Sequence, residues 1–320
     1  MKHLILGLGS IGKRHATNLL KQGEMVVAVD PFVHDSFAFP VYRDIEVGWR
    51  ELPDLVWICT PTHLHAEQVI TALRCDKHVF VEKPLAHDME SARSVMDVWV
   101  DIEDKKLVWV ACNMRFHPAV REMKSLLDSG VIGEPIIYRL HFSHFLGSMR
   151  PGVDYRKTYA AHSSQGGGIL LDDIHDIDLA VWFGGAVRKV KGVTTNSGRL
   201  GIQAEDFALI VLIHENGALS EIHMDFLRRN KSRGIEVIGE KGTLEWRSFG
   251  KNPERAAITW YQDNQSREQT LWQKELDDPE EMYVLQFRQI CEDISRPERF
   301  PIRLREAFAS LRITYEVEKE

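Results

Sequence analysis

At 320 residues the chain is long enough to bury a large core and is expected to form two domains. Hydrophobic residues make up 44% and charged residues 27%, the balance of a soluble globular protein, and a formal net charge of -7 argues against a general nucleic-acid binder. No apolar stretch reaches membrane-spanning length, the N-terminus reads as a strand instead of a signal peptide, and four scattered cysteines (Cys59, Cys75, Cys112, Cys291) read as free thiols in a reducing cytoplasm.

Leu4-Ile5-Leu6 is an apolar run too short for a helix; it leads into Gly7-x-Gly9-x-x-Gly12 and then a helical stretch, residues 13–20. The first glycine permits a tight strand-to-helix turn, the second lets a pyrophosphate approach the backbone, and the third lets helix and strand pack closely. Gly7, Gly9, Ser10, Ile11 and Gly12 are therefore candidate phosphate contacts at the positive end of a helix. Residues 25–29 form a continuous apolar run suited to a buried parallel strand, and Asp30 follows it directly. An acid there accepts hydrogen bonds from the adenosine ribose and repels a 2′-phosphate, which points to NAD over NADP. It also suits a solvated turn at Asp30-Pro31.

The next strand, residues 55–59, ends in Thr60-Pro61-Thr62-His63-Leu64-His65, with a helix over residues 65–74. A strand over 78–81 ends at Glu82-Lys83-Pro84, and a helix (89–101) and a strand (107–111) complete the series. No local acid or cysteine cluster accompanies His63-x-His65, which reads as two solvent-facing loop histidines; no metal is expected. Repeated strand–helix alternation implies a parallel, doubly wound α/β sheet with right-handed crossovers. Ligands in such sheets bind beyond the carboxyl ends of the strands, where Asp30, Thr60, Glu82, Lys83 and Asn113 fall.

The texture changes near residues 115–118, which separates a first domain (1–115) from a second (116–320) whose terminal helix is free to pack back on the first. An amphipathic helix closes near Gly130, and beyond Gly133 the period switches to two, with strands over 136–145, 207–213 and 218–226. Gly239-Glu240-Lys241-Gly242 reads as a hairpin turn between strands at 235–238 and 243–246. Consecutive strands with short turns indicate an α+β domain with a large, mostly antiparallel open sheet, followed by helices over 279–294 and 303–318.

Gly166-Gly167-Gly168 precedes Ile169-Leu170-Leu171-Asp172-Asp173-Ile174-His175-Asp176-Ile177-Asp178. As one helix, this places Asp172, His175 and Asp176 on a single face of a segment apolar on more than one side. Three readings are open: acids favouring a helix start, an Asp–His–Asp metal cluster, and a histidine poised near neutral pH as general acid and base. The third agrees with a nearby cofactor.

Four motifs occur in order: Gly7-x-Gly9-x-x-Gly12, Thr60-Pro61 with His65, Glu82-Lys83-Pro84, and the tri-glycine followed by Asp172 and His175. Together they resemble the Gfo/Idh/MocA family, the glucose–fructose oxidoreductase and inositol dehydrogenase relatives, over nearly the whole chain. The resemblance implies an NAD-binding Rossmann domain, a substrate-binding α+β domain, and Thr60, Pro61, His65, Glu82 and Lys83 at the cofactor. It also implies that Lys83 reaches the substrate oxygen, with His175 as acid–base and Asp172 beside it. The spacing departs from the family pattern, with three positions from Asp172 to His175 where four are usual and the intervening glycine missing. Family members commonly oxidise a sugar or polyol hydroxyl or reduce the ketone; some cleave glycosides through transient oxidation. The segment 150–159 resembles a subgroup associated with surface-sugar biosynthesis, and Arg115 and Tyr155 are candidate substrate contacts. Against these stand plainer readings: Lys83 as a surface lysine, Arg115 as a charge pairing with local acids, and the whole protein as a non-catalytic NAD sensor. The expected partners are a small sugar or polyol and a second copy of the chain through the open sheet, with neither nucleic acid nor membrane.

Overall fold

Strands in which nearly every residue is apolar must be covered on both faces, and the first part of the chain supplies a series of them. They are β1 (Lys2–Leu6), β2 (Met25–Val29), β4 (Leu55–Ile58), β5 (His78–Val81) and β6 (Val108–Val110), joined by a two-residue edge strand, β3 (Val41–Tyr42). The connecting helices are α1 (Ser10–Lys21), α2 (Ile45–Arg50), α3 (His65–Arg74) and α4 (Met89–Asp101). The computed structural model describes residues 1–102, 105–149, 151–249, 254–262, 268–276 and 278–319. Two compact units divide the chain: Met1–Ala111 with Tyr283–Phe308, and Cys112–Met282 with Ala309–Glu320.

In the first unit the six strands form a parallel sheet in the order β3-β2-β1-β4-β5-β6. The order reverses at β1, so the crevice beyond the carboxyl ends of β1 and β4 is the topological switch point. Beneath it, His3 is 0% exposed and its Nδ1 accepts the Trp57 indole N–H at 3.0 Å. Indole can only donate, so the ring's proton lies on Nε2, 3.3 Å from Glu24. Burial lowers the His3 pKa from 6.5 to about 4, against the pull of Glu24. The unfolded chain therefore binds this proton first, and the stability His3 contributes is complete above pH 6.5 and drains as the pH falls toward 4. Urea unfolding between pH 7 and 4 is expected to show this loss, up to about 1.4 kcal/mol per pH unit, and His3→Phe is expected to flatten it. An equal slope in that variant would locate the acid sensitivity elsewhere.

In the second unit, α5 (Pro118–Asp128) precedes β7 (Pro135–Phe145), and the helices α6 (Ile169–Asp172) and α7 (His175–Gly184) follow. Then come β8 (Val187–Thr195), β9 (Phe207–His214), β10 (Leu219–Asp225), β11 (Leu227–Gly239), β12 (Gly242–Phe249), β13 (Glu254–Gln262) and β14 (Glu268–Leu276). The chain closes with α8 (Glu281–Ile294), α9 (Phe300–Glu316) and β15 (Glu318–Lys319). The nine strands form one sheet, β14-β13-β12-β11-β7-β10-β9-β8-β15, antiparallel except at β10–β7 and β15–β8. Tyr138, Leu140 and Phe142 alternate into the core from β7, whereas Arg139 stands exposed between Glu221 and Glu236. Gly239 pairs with Gly242, closing the expected hairpin.

Candidate active site

The glycine turn is built as its spacing requires. Gly7 has φ of 90°, and a Cβ there would lie 2.8 Å from the Cys59 carbonyl oxygen. A Cβ at Gly12 would lie 2.0 Å from the Gly7 oxygen, so helix and strand meet backbone to backbone. Gly9 is different: it is exposed, and a Cβ there would meet nothing within 4 Å. It caps α1 without a side-chain hydrogen bond, and no acid lies in the first turn. Helix geometry gives the N–H groups of the first turn, at Ser10 (exposed) and Ile11 (half-buried), no intrahelical acceptor, and such a turn fits a dinucleotide pyrophosphate.

Asp30 grips this turn. Its Oδ2 accepts the Leu8 N–H at 2.8 Å, and its Oδ1 accepts those of Phe32 at 2.8 Å and Val33 at 3.1 Å. A carboxylate offers about four acceptor positions, so Asp30 closes its own turn and retains capacity for a ribose hydroxyl. Asp30→Ala is expected to weaken NAD about tenfold and to narrow the gap to NADP, as measured by titration with both cofactors. Unchanged affinity for both would leave Asp30 as a turn residue only.

Two ties hold the Glu82-Lys83-Pro84 turn. His15 of α1, buried against Trp57 and Phe80, places Nε2 2.9 Å from Glu82 Oε1. On the other side His65 is 1% exposed, contrary to the expectation of a solvent-facing loop histidine, while His63 is exposed. The His65 Nδ1 lies 2.8 Å from the Pro84 carbonyl and its Nε2 2.9 Å from that of Thr60. Burial lowers its pKa, opposed by these two carbonyls. The position at the head of α3 turns the ring inward between the ends of β4 and β5, where the neutral ring, with a single N–H, donates to one of these carbonyls at a time. Thr60 itself donates to Gln68 Oε1 at 2.6 Å, Pro61 is exposed, and Lys83, joined to Pro84 by a cis peptide, is half-buried.

In the second unit the Asp172–His175 stretch is not one helix. α6 ends at Asp172, Asp173 turns away with φ of -118° and ψ of 39°, and α7 begins at His175. The expected single face through Asp172, His175 and Asp176 is therefore absent, and its two acids follow different partners. Arg233 of β11 donates to Asp173 at 2.7 Å and to Asp176 at 2.8 Å. Burial works against its charge, yet the two carboxylates outweigh burial and hold its pKa above the ordinary arginine value. Asp176, one member of the supposed metal cluster, is thus turned to an arginine together with its neighbour Asp173.

The sequence leaves Arg115 two readings, a substrate contact and a charge pairing with acids, and it has an acid partner. It is 8% exposed, and its Nε and Nη2 each meet a different oxygen of Asp178 at 2.7 Å. A guanidinium so engaged braces α7 from within.

Asp172 opens onto a cleft lined by Leu146, Met149, Tyr155, Thr158, Tyr159 and Ala160. Tyr155 lines this cleft and donates to the Leu200 carbonyl at 3.1 Å; Arg150, in the same quoted segment, lies outside the described residues. The Tyr159 hydroxyl donates to Asp172 Oδ1, a contact that motif reading missed. A faint signal existed in the tri-glycine. A Cβ at Gly167 would lie 2.2 Å from the Tyr159 oxygen, so the glycines let this backbone pass close by. His144 of β7 was missed too; it is 4% exposed, and burial lowers its pKa while Asp173 and Asp172 oppose that shift. His175 stands half-buried at the first position of α7, just beyond the break.

Residues 1–112 match the GFO/IDH/MocA model described as an oxidoreductase family with an NAD-binding Rossmann fold, and residues 120–245 match a GFO/IDH/MocA C-terminal domain. The scyllo-inositol 2-dehydrogenase (NAD(+)) of Bacillus subtilis strain 168 is 31% identical over 266 residues, covering 75% of this chain and 72% of that protein. The myo-inositol 2-dehydrogenase of Thermotoga maritima is 28% identical over 261 residues, covering 75% and 73%. In fold, the chain is similar to a 3-ketoreductase from Actinomadura kijaniata solved with NADP and TDP-benzene. The TM-score is 0.79 at 19% identity, over 100% of this chain and 98% of that one. With a switch-point glycine turn, a second sheet-based unit and two matching domain models, the chain belongs to the GFO/IDH/MocA oxidoreductase family, its first domain an NAD-binding Rossmann fold.

Proposed function

We propose that the protein is an NAD-dependent dehydrogenase of a secondary hydroxyl on a sugar, polyol or sugar derivative, in the setting of surface-sugar biosynthesis. The observation that carries this reading is the cleft in which buried Asp172 meets Tyr159 and stands immediately before the break that presents His175. Bound NAD supplies the acceptor for the hydride. His175 takes the hydroxyl proton, Asp172 orients His175 or a neighbouring substrate hydroxyl, and the Lys83 ammonium stabilises charge developing on the substrate oxygen. Leu146, Met149 and the ring of Tyr155 give the cleft apolar surface suited to the C–H faces of a sugar. The inositol dehydrogenases among its relatives support a polyol-type substrate.

Two subsidiary proposals accompany this one. The open sheet, whose outer face exposes Val211 and Leu219, associates with a second copy of the chain. The four free thiols accord with a cytoplasmic location, and no helix among the described residues is long and apolar enough to cross a membrane.

The test is NADH formation with inositols, sugars and nucleotide sugars, followed spectrophotometrically. Turnover with at least one of them is expected. NAD binding with ligand-induced stabilisation and no turnover would favour the sensor, and product release without NADH accumulation the redox-assisted glycosidase.

A further inference from the structure

His15 lies one turn beyond Gly12 on α1, on the buried face of that helix. The missing Cβ at Gly12 lets α1 press against the sheet, and the same approach carries the His15 ring among aromatic side chains. The ring is 3% exposed. Trp57 of β4 lies 4.9 Å from it between centroids, and Phe80 of β5 and Tyr283 of α8 meet it edge-on at 5.0 and 5.7 Å. Tyr283 is itself held, its hydroxyl accepting from Arg14 Nη1 at 3.1 Å. Three rings from three elements thus fix the plane of the imidazole. In that plane Nε2 lies 2.9 Å from Glu82 Oε1, while Glu82 Oε2 accepts the Lys83 N–H at 3.3 Å. A carboxylate only accepts, so the ring proton of this contact lies on Nε2. The Glu82 charge also acts on His65 and on buried Cys59, which places it where β4 and β5 end.

One oxygen of Glu82 is therefore fixed by the helix that starts at the glycine turn, and the other fixes the backbone of Lys83. A reacting group held within a fraction of an ångström needs such support behind it. We propose that His15 is a positioning residue, joining the helix that receives the cofactor to the turn that carries Lys83 and acting through Glu82. This rests on Lys83 working at the substrate oxygen; the Lys83 amide, unlike turnover, reports on the tie by itself.

The experiment is hydrogen exchange of the full chain, read at the Lys83 amide, together with kcat and KM for whichever inositol, sugar or nucleotide sugar turns over. His15→Leu is expected to speed exchange at Lys83 about tenfold and to lower kcat about tenfold, with KM nearly unchanged. His15→Gln, whose side-chain N–H reaches about as far as Nε2, is expected to recover most of both. Glu82→Ala breaks the same tie and leaves the ring cage intact, so it tests the proposal even where His15→Leu folds poorly. The double variant His15→Leu/Glu82→Ala is expected to lose no more than Glu82→Ala alone. Unchanged exchange at Lys83 in both single variants, losses that add in the double one, or a His15→Gln variant as impaired as His15→Leu would overturn the proposal. Faster exchange in His15→Leu, in a protein that reduces NAD with no substrate, would sink the dehydrogenase reading and leave the tie standing.

Discussion

Lys83→Ala is expected to lower kcat/KM by about 10²–10³-fold, the usual effect of removing one preorganised donor from a developing charge. The folded state should barely notice. Lys83 is half-buried at a turn held independently on both sides, by the contact of His15 with Glu82 and by that of His65 with the Pro84 carbonyl. Neither tie uses the lysine amine, so truncation removes a cation without releasing the backbone. Stability is therefore expected to change by no more than about 0.5 kcal/mol. Lys83→Met, which keeps the apolar stem, should be as inactive as the alanine variant if charge is what matters. Turnover matching the unsubstituted protein in both variants would remove Lys83 from the chemistry. A matching loss of stability and activity would make it a structural residue.

Arg115→Met should unfold the second unit far more readily, by about 3–5 kcal/mol. Its partner Asp178 is 1% exposed and would be left as a buried charge without its counter-ion, the Ser310 hydroxyl lying 3.5 Å away. Asp178→Leu is expected to cost a similar amount for the mirror-image reason. The double variant Arg115→Met/Asp178→Leu should be milder than either single one, because no charge then remains buried without its counter-ion. Urea unfolding at neutral pH measures all three. KM for substrate, measured on the folded fraction, should stay near that of the unsubstituted protein. A selective rise in KM with stability intact would favour the substrate contact, one of the two readings that the sequence leaves open for Arg115.

The sequence by itself determined the first domain and its cofactor turn. Gly7, Gly9 and Gly12 encode a backbone geometry within six residues, and Asp30 and Lys83 sit at strand ends that the apolar runs mark directly. Such features are local, and adjacency along the chain is enough to read them. The polar edge strand β14, Glu-Gln-Thr-Leu-Trp-Gln-Lys-Glu-Leu, shows no such pattern and was not foreseen. In the second domain the residues of interest could be listed, but only the tertiary structure decided their partners. Asp178 took Arg115 from 63 positions away, Asp173 took Arg233 from 60, and Asp172 took Tyr159. A buried carboxylate is stable only where packing brings a cation or donor to it. Which one arrives is set by the register of β11 on β7 and by the break before α7, not by helical spacing. That choice made Arg115 a brace, divided the supposed single face of acids, and left Asp172 with Tyr159 at the cleft.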